Sequence, residues 1–332
     1  MRIGLIGAGV AGLTAARGLR DLGHTCVLYD KGRGPGGRLS TRRAPTPLGE
    51  MQFDHGAQYI TAKSNDFQTV LEDWEQAGAI APWSARFTTY KDGQAEPVDP
   101  GHTRYVGVPG MNGVVKYLAK GLEVHWGVRL SAAHRQQAGD KTNAVWTLSF
   151  EDGFEAEPVD ALVLAVPVEQ ADILLEDLAP GFLAGEVRPQ SDPCWTVMAG
   201  FDAPVLTGWD AARIEARSLA WAARNTSKPQ RGAAEAWVLQ ASAAWSRDHL
   251  EAEKETIARA LIDDFRNLTG APEPIHLAAH RWRYSQTGPS GLAPAIYDRD
   301  HALGVCGDWR VKGKVEGAYK SGVALAKAIG AA

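Results

Sequence analysis

Three glycines in the stretch GAGVAG, Gly7, Gly9 and Gly12, have the types and spacing that hold a diphosphate, and Asp30 stands where a ribose acceptor would be needed. Gly7 permits a tight turn. Gly9 lets backbone N–H groups reach a pyrophosphate, and Gly12 lets a helix lie close to a strand. The start of that helix, at Val10 and Ala11, supplies partial positive charge. Asp30 accepts hydrogen bonds from ribose hydroxyls and repels a 2′-phosphate. The same spacing also suits a strand–helix turn that binds nothing, but the surroundings weigh against that. Residues 1–6 read as a short apolar strand, LTAARGLRDLG as an amphipathic helix, and residues 25–29 as a second strand ending at the acid.

The thirteen residues that follow, KGRGPGGRLSTRR (31–43), carry five basic side chains and no acid, with four glycines and one proline that exclude an ordinary helix. Such a run holds either nucleic acid or a single diphosphate. The chain has a formal net charge of −4, whereas a dedicated nucleic-acid binder is strongly basic. The loop is therefore a local device. After Lys31, Gly37 and Arg38 can bring backbone amides and a guanidinium onto the second side of a diphosphate, because arginine suits bidentate phosphate contact. Arg42 and Arg43 read as solvated basic residues.

These residues need elements to position them. At 332 residues, 45% apolar and 22% charged, the chain is long enough for two domains. Residues 113–120 read as a helix and 122–126 as a strand. A β-meander follows, with strands at about 128–135, 145–151 and 154–157 and a hairpin turn at GDKTN (139–143), and then a parallel strand in VDALVLAVP. Residues 304–306 form a strand that leads to Asp308. Residues 315–329 form a helix with Ala318, Gly322, Leu325, Ala326 and Ile329 on one face. The remainder holds a helix at 65–77, a hairpin-like ARFTTYKDGQAEPV, the strands WTVMAGFD and AWVLQAS, and one long helix from about 247 to 268. The fold class expected is α/β: a Rossmann-type, three-layer dinucleotide-binding domain with a parallel sheet and a β-meander, and a second α+β substrate domain on a mixed sheet. Residues 1–61, 105–167 and 303–332 would form the first domain, and 62–104 and 168–302 the second.

Cys26, Cys194 and Cys306 are few, odd in number and far apart, without CxxC spacing. They read as small buried hydrophobes in a reducing compartment, with neither a disulfide framework nor a metal site. No signal peptide and no apolar run of roughly 18 to 20 residues occurs, so a cytoplasmic protein without a membrane partner is expected.

Taken together, the segments resemble the FAD-dependent amine oxidase superfamily, and within it the bacterial renalase-like members. The stretches that carry this are IGLIGAGVAGLTAARGL, DKGRGPGGRLSTRR, FDHGAQYIT, VPGMNGVVKYLAKGLEVHWGVRL, ALVLAVPVEQA, WAARNTSKPQR, AHRWRY and GVCGDWRVKGKVEGAYKSGVALAKAI. The first and last mark the superfamily, and WAARNTSKPQR and HRWRY point to renalase-like proteins. The resemblance implies FAD, held noncovalently. It would lay the backbone of Gly56, Ala57 and Gln58 along the isoalloxazine, put Val128 at the adenine and Asp308 at the ribityl or phosphate region. It also sets Glu316, Gly317 and Ala318 against the flavin N1/C2=O edge, where a helix N-terminus stabilises negative charge. His55 reads as a satisfied loop histidine rather than a base.

One GxGxxG and no redox CxxC leave dioxygen as the expected oxidant of reduced flavin, with hydrogen peroxide as product. Of Trp195, Trp209, Trp221, Trp237, Trp245 and Trp282, most read as core. Trp221 and Trp282 lie in the renalase-like stretches. With Tyr59 and Gln240 they are the candidate catalytic residues. Aromatic rings mixed with cations suit a small, planar, anionic substrate. The resemblance implies misreduced dihydropyridine isomers of NAD(P)H, oxidised to NAD(P)+. The chain departs from the renalase-like pattern at Gln240, where a histidine often stands. Rival readings are a true amine oxidase, a flavin-binding sensor or scaffold without turnover, and a nucleic-acid binder. An amine oxidase places a lysine beside the flavin. Between residues 142 and 300 only Lys228 and Lys254 occur, in a loop and on the long helix, and neither looks placed for that.

Overall fold

A computed structural model gives the structure of the protein and describes residues 1–91, 94–99, 101–137, 144–216 and 218–332. The chain forms two compact units: Met1–Gly37, Val115–Ser191 and Gln286–Ala332 in the first, Arg38–Val114 and Asp192–Ser285 in the second. These cuts fall elsewhere than the domain limits expected from ligand binding, and packing explains the difference. Ala44, Met51 and Phe53 share a core with Met198, Ala236 and Val238, so residues 38–61 go with the second unit. The helix Val168–Leu178 and the edge strand Ala295–Asp298 belong to the first, the helix through its core and the strand through its sheet.

The first unit is built on a sheet of six strands. Their order is Ala295–Asp298, Leu303–Cys306, Ala161–Leu164, Arg2–Ile6, Thr25–Asp30 and Glu123–Trp126. All pairings are parallel except that of the Ala295–Asp298 edge. Ile3, Leu5, Val27, Leu28 and the whole run Ala161–Leu164 are buried, as strands covered on both faces require. Two helices, Val10–Asp21 and Val315–Gly330, pack on each other through small residues. A Cβ on Gly322 would lie 2.4 Å from the Ala11 carbonyl oxygen. Ala318, expected on the buried face of the last helix, is only half-buried, while Gly322, Leu325, Ala326 and Ile329 are buried.

The meander is shorter than expected. Leu130–Gln137 and Ala144–Phe150 pair as an antiparallel hairpin, and the GDKTN turn lies outside the described residues. Residues 154–157 do not form a third strand. A single bridge, Trp146 to Val159, does that work just beyond them, because Pro158 removes a donor from the ladder.

The second unit holds a seven-stranded mixed sheet. Its order is His276–Thr287, Ser191–Phe201, Glu235–Ala241, Leu219–Arg224, Ala211–Ile214, Phe87–Lys91 and Gln94–Pro97. Ala211–Ile214 pairs in parallel with Phe87–Lys91, and Ser191–Phe201 with Glu235–Ala241, Glu235–Ala241 with Leu219–Arg224, Leu219–Arg224 with Ala211–Ile214 and Phe87–Lys91 with Gln94–Pro97 pair antiparallel. One face carries Trp195, Val197, Ala199, Trp237, Leu239 and Ala222 beneath the helix Lys254–Thr269. The other face carries Met198 and Val238, then Gln240 and Trp221. The long helix expected over 247–268 is two helices, Ala243–Asp248 and Lys254–Thr269. Helix propensity loses there to tertiary hydrogen bonds. Trp195 Nε1 donates to the His249 carbonyl at 2.9 Å and Arg281 Nη1 to the Leu250 carbonyl at 2.6 Å. No helix among the described residues is long and apolar enough to cross a membrane. All three cysteines are free, and burial pushes their thiols up to about 11 for Cys26 and Cys194 and about 12 for Cys306.

Candidate functional site

In the first unit, the strand Arg2–Ile6 runs directly into the glycine turn. Gly7 has a φ of 103°, and a Cβ there would lie 2.5 Å from the Ala165 carbonyl oxygen. A Cβ on Gly12 would lie 2.1 Å from the Gly7 carbonyl oxygen. The protein's own packing demands these two glycines. Gly9 differs, since no atom lies within 4 Å of where its Cβ would stand. It is the N-cap of the helix Val10–Asp21, which has no side-chain cap and no acid in its first turn. The amides of Val10, Ala11 and Gly12 have no partner within the helix. An open turn with free donors at the positive end of a helix fits a pyrophosphate.

Asp30 is already at work in the protein. Its two carboxylate oxygens accept from Ala8 N and Gly32 N, each at 2.7 Å, and so tie the glycine turn to the start of the basic loop. Each oxygen keeps a lone pair for a ribose hydroxyl. Val128 is buried and its amide donates to the Asp30 carbonyl at 3.1 Å, while Lys31 is exposed. Gly37 has a φ of 53° and open space about it.

At the other end of the same unit Asp308 is buried at the start of a short turn, Asp308–Arg310. Ser321 Oγ accepts from Gly307 N at 2.8 Å and Trp309 Nε1 donates to the Val166 carbonyl at 3.1 Å. Arg310 is wholly buried and makes a two-pronged contact to Glu186 at 2.8 and 3.0 Å. Sequence reasoning missed this pair, for nothing local links positions so far apart. Glu316, in the first turn of Val315–Gly330, pairs with Lys320 at 2.7 Å. Gly317 is required by the Lys312 carbonyl, 2.1 Å from where a Cβ would stand. Ala318 N continues the helix by donating to Lys314 O at 3.0 Å.

In the second unit the stretch 54–59 is bound on every side. Ala57 N donates to the Arg38 carbonyl at 2.8 Å, and a Cβ on Gly56 would lie 2.1 Å from that same oxygen. The glycine is thus required by Arg38 backbone. Arg38 itself is half-buried, with Nη1 3.3 Å from the Ser285 carbonyl. Trp282 Nε1 donates to the His55 carbonyl and Gln240 Nε2 to the Gly56 carbonyl, both at 2.8 Å. Gln58 Nε2 donates to the carbonyls of Asp54 at 2.6 Å and Gly56 at 3.0 Å. Tyr59 lies against Trp221, ring centroids 5.7 Å apart, and Trp221 stands opposite Gln240 in strand register. All four candidate catalytic residues therefore meet this stretch, Trp282 by stacking on His55 at 5.2 Å.

Among the described residues, the histidines of this region do not form an acid–base pair. Burial, then the charges of neighbours, drop His55 and His280 to about 4, so both are neutral at pH 7. The surprise lies with Lys228. The sequence set it in an uninvolved loop, but it is buried. Its Nζ lies 3.2 Å from Asp54 Oδ2, 3.3 Å from Gln58 Oε1, and 5.2 Å from the Trp83 ring centre. Arg231 adds two hydrogen bonds to Asp54, at 2.8 and 3.0 Å, and Thr41 Oγ1 and Met111 N complete the set at 2.7 and 3.1 Å. Burial alone raises the Asp54 carboxyl, but the two cations and the Thr41 hydroxyl win and hold it at about 2. Burial takes Lys228 down to about 8, against the pull of Asp54. The only signal for this cluster was a lysine and an arginine close together in NTSKPQR, without any hint of their acid.

Family comparison decides what such a chain is. The model of flavin containing amine oxidoreductases matches residues 76–330, and that of an NAD(P)-binding Rossmann-like domain matches residues 5–76. The chain belongs to the flavin containing amine oxidoreductases. Renalase from Mus musculus is 25% identical over 310 residues, covering 87% of this chain and 86% of that protein. Among solved structures, a putative protoporphyrinogen oxidase from Exiguobacterium sp. 255-15 superposes with a TM-score of 0.74 at 13% identity, over 99% of this chain and 98% of that one. A putrescine oxidase bound to putrescine gives 0.68 at 13% identity over the full length of both. These two likenesses show the shared fold. The flavin containing amine oxidoreductases imply FAD, and the open, uncapped turn at Gly9 fits its diphosphate. The protein is an FAD-dependent oxidoreductase.

Proposed function

We propose that this flavoenzyme takes hydride from misreduced dihydropyridine isomers of NAD(P)H to flavin N5 and passes the electrons to O2, giving NAD(P)+ and hydrogen peroxide. One observation carries the reading. The half-buried rings of Tyr59 and Trp221 lie beside Gln240, while the two histidines of this region, His55 and His280, are neutral. A dihydropyridine needs a flat, ordered surface and the exclusion of water more than it needs a base. Tyr59 and Trp221 supply ring surface. Trp282 and Gln240 hold the carbonyls of His55 and Gly56, so their part would be to fix the stretch that would run along the isoalloxazine. In the first unit, the amides at Gly9, Val10, Ala11 and Gly12 would hold the diphosphate and Asp30 the ribose. Lys31, Gly37 and Arg38 would add to the phosphate contacts. Val128 would stand at the adenine, Asp308 at the ribityl chain and Glu316 to Ala318 at N1. The renalase likeness over most of the chain supports the same substrate class. Three free cysteines, Cys26 and Cys306 of them buried, agree with a cytoplasmic setting.

A second reading, amine oxidation, gains from Lys228, a buried lysine beside Gln58. Anaerobic mixing separates the two. The holoprotein is mixed with 1,2- and 1,6-dihydro isomers of NAD, and separately with primary and secondary amines, while the visible flavin band is followed. Rapid bleaching by a dihydropyridine, restored by air with peroxide release, is the expected result. Bleaching by amines alone would replace this reading with the second, and bleaching by neither would remove both.

A further inference from the structure

Arg104 was not singled out by its sequence. In the second unit its guanidinium lies over two aromatic rings, 3.8 Å from the centre of Phe87 and 5.2 Å from that of Tyr59. Trp83 closes the cluster, edge-on to Phe87 at 5.0 Å. Arg104 has no carboxylate partner among the described residues, and its Nη1 is buried without a hydrogen-bond partner. One ring further on, Trp221 Nε1 is also buried and unpartnered, and Trp221 touches Tyr59 at 5.7 Å. Two nitrogen donors taken out of water with nothing to donate to are costly. Both are donors, and one belongs to a cation. What they lack is an oxygen acceptor, best one with negative charge.

We propose that Arg104 and Trp221 form a two-donor subsite for a carbonyl or carboxylate oxygen attached directly to the planar ring of the substrate. Arg104 is then the residue that selects for that substituent. The oxygen must be on the ring itself. Tyr59 links the two donors, so a ring stacked on the Tyr59–Trp221 surface brings only its immediate substituents within reach. The nicotinamide ring, with its carboxamide, meets the requirement. A simple aliphatic amine does not. The inference rests on the proposed function for the identity of the ring, but not for the subsite.

The test uses probes that cannot reduce flavin. Benzoate, benzamide and benzyl alcohol are titrated into the holoprotein, and dissociation constants are read from perturbation of the flavin spectrum and from tryptophan fluorescence. Benzoate should bind at least tenfold more tightly than benzyl alcohol, with benzamide between them. Arg104→Met keeps an apolar chain over Phe87 and should weaken benzoate by roughly ten- to a hundredfold, collapsing the three probes onto one weak constant. Arg104→Lys, which keeps the charge, should recover part of the loss. Melting of each variant reports folding separately. Equal affinities for the three probes, or Arg104→Met binding benzoate as the wild type does, would overturn the proposal. Arg104-dependent benzoate binding in a protein that no dihydropyridine bleaches would leave the subsite standing and remove the dihydropyridine reading alone.

Discussion

The Lys228 ammonium lies 3.2 Å from the Asp54 carboxylate, and neither side chain is exposed at all. Arg231, equally buried, shares the same carboxylate oxygen at 2.8 Å. Two cations therefore depend on one acid, and the acid joins the stretch 54–59 to Thr41, Met111 and the loop after Asn225. The arrangement fixes the backbone of residues 54–59, which we propose lies against the flavin, and it makes that backbone hostage to a single charge.

Removing that charge should cost far more than removing one cation. Asp54→Asn leaves two buried cations without a counter-ion and should lose about 3–5 kcal/mol of stability. Lys228→Met leaves Asp54 paired with Arg231, and should lose about 1 kcal/mol or less. Urea unfolding of both holoproteins checks this. Equal losses would mean that the carboxylate is no more the centre of the cluster than the lysine is.

Acid should weaken the fold in two stages. His55 and His280 are held at about 4 by burial, below the ordinary value of 6.5, so the unfolded chain binds more protons between those limits. Stability then falls as pH drops from 6.5 to 4, by up to about 3 kcal/mol from the well-buried His55. Asp54 behaves as a depressed acid. Its contribution is complete above about 4 and is lost as pH falls through about 2. Melting temperatures from pH 7 to pH 4 should decline in the wild type and decline less in His55→Gln. An identical slope would show that His55 takes up its proton as readily in the folded protein as in the unfolded chain.

Much of this was legible in advance for a physical reason. The glycine turn, Asp30 and the last helix are local patterns, fixed by neighbours a few residues apart, and each stands where its spacing put it. What the sequence hid was non-local. The break at residues 249–253 depends on Trp195 and Arg281, distant in the chain. The same holds for Asp54 with Lys228 and for Arg310 with Glu186. Gly56 and Gly317 lie in the stretches that the resemblance sets against a flavin, yet each is required by a carbonyl of the protein, which only coordinates reveal. Arg104 left no sequence signal, because a cation over two rings looks like any other surface arginine until its partners are known to be missing.

Arg38 tests the basic loop. Its carbonyl already secures Ala57, and substitution keeps that backbone contact. Arg38→Ala should therefore fold normally and still lose affinity for FAD by about tenfold or more, the worth of one charge-assisted phosphate contact. Equilibrium dialysis of FAD against the refolded apoprotein measures it. Full occupancy at unchanged affinity would leave the guanidinium no part in phosphate binding.

The glycine turn offers the sharpest separation between folding and cofactor. Gly9→Ala adds a methyl group where no protein atom lies within 4 Å, at a φ of −79° that alanine adopts freely. The apoprotein should melt within about 1 °C of the wild type, since ordinary surface changes stay near zero in free energy. The same methyl stands in the space that a diphosphate needs, so FAD affinity should fall by about a hundredfold, or about 2.7 kcal/mol. Gly12→Ala is the opposite case. Its methyl group would lie 2.1 Å from the Gly7 carbonyl oxygen, so helix and strand must part and stability must drop whether or not FAD is present. Measuring apoprotein melting and FAD affinity on both variants gives four numbers with a fixed pattern. If Gly9→Ala retained FAD at full affinity, the open turn would not be the diphosphate site, however well its donors suit one.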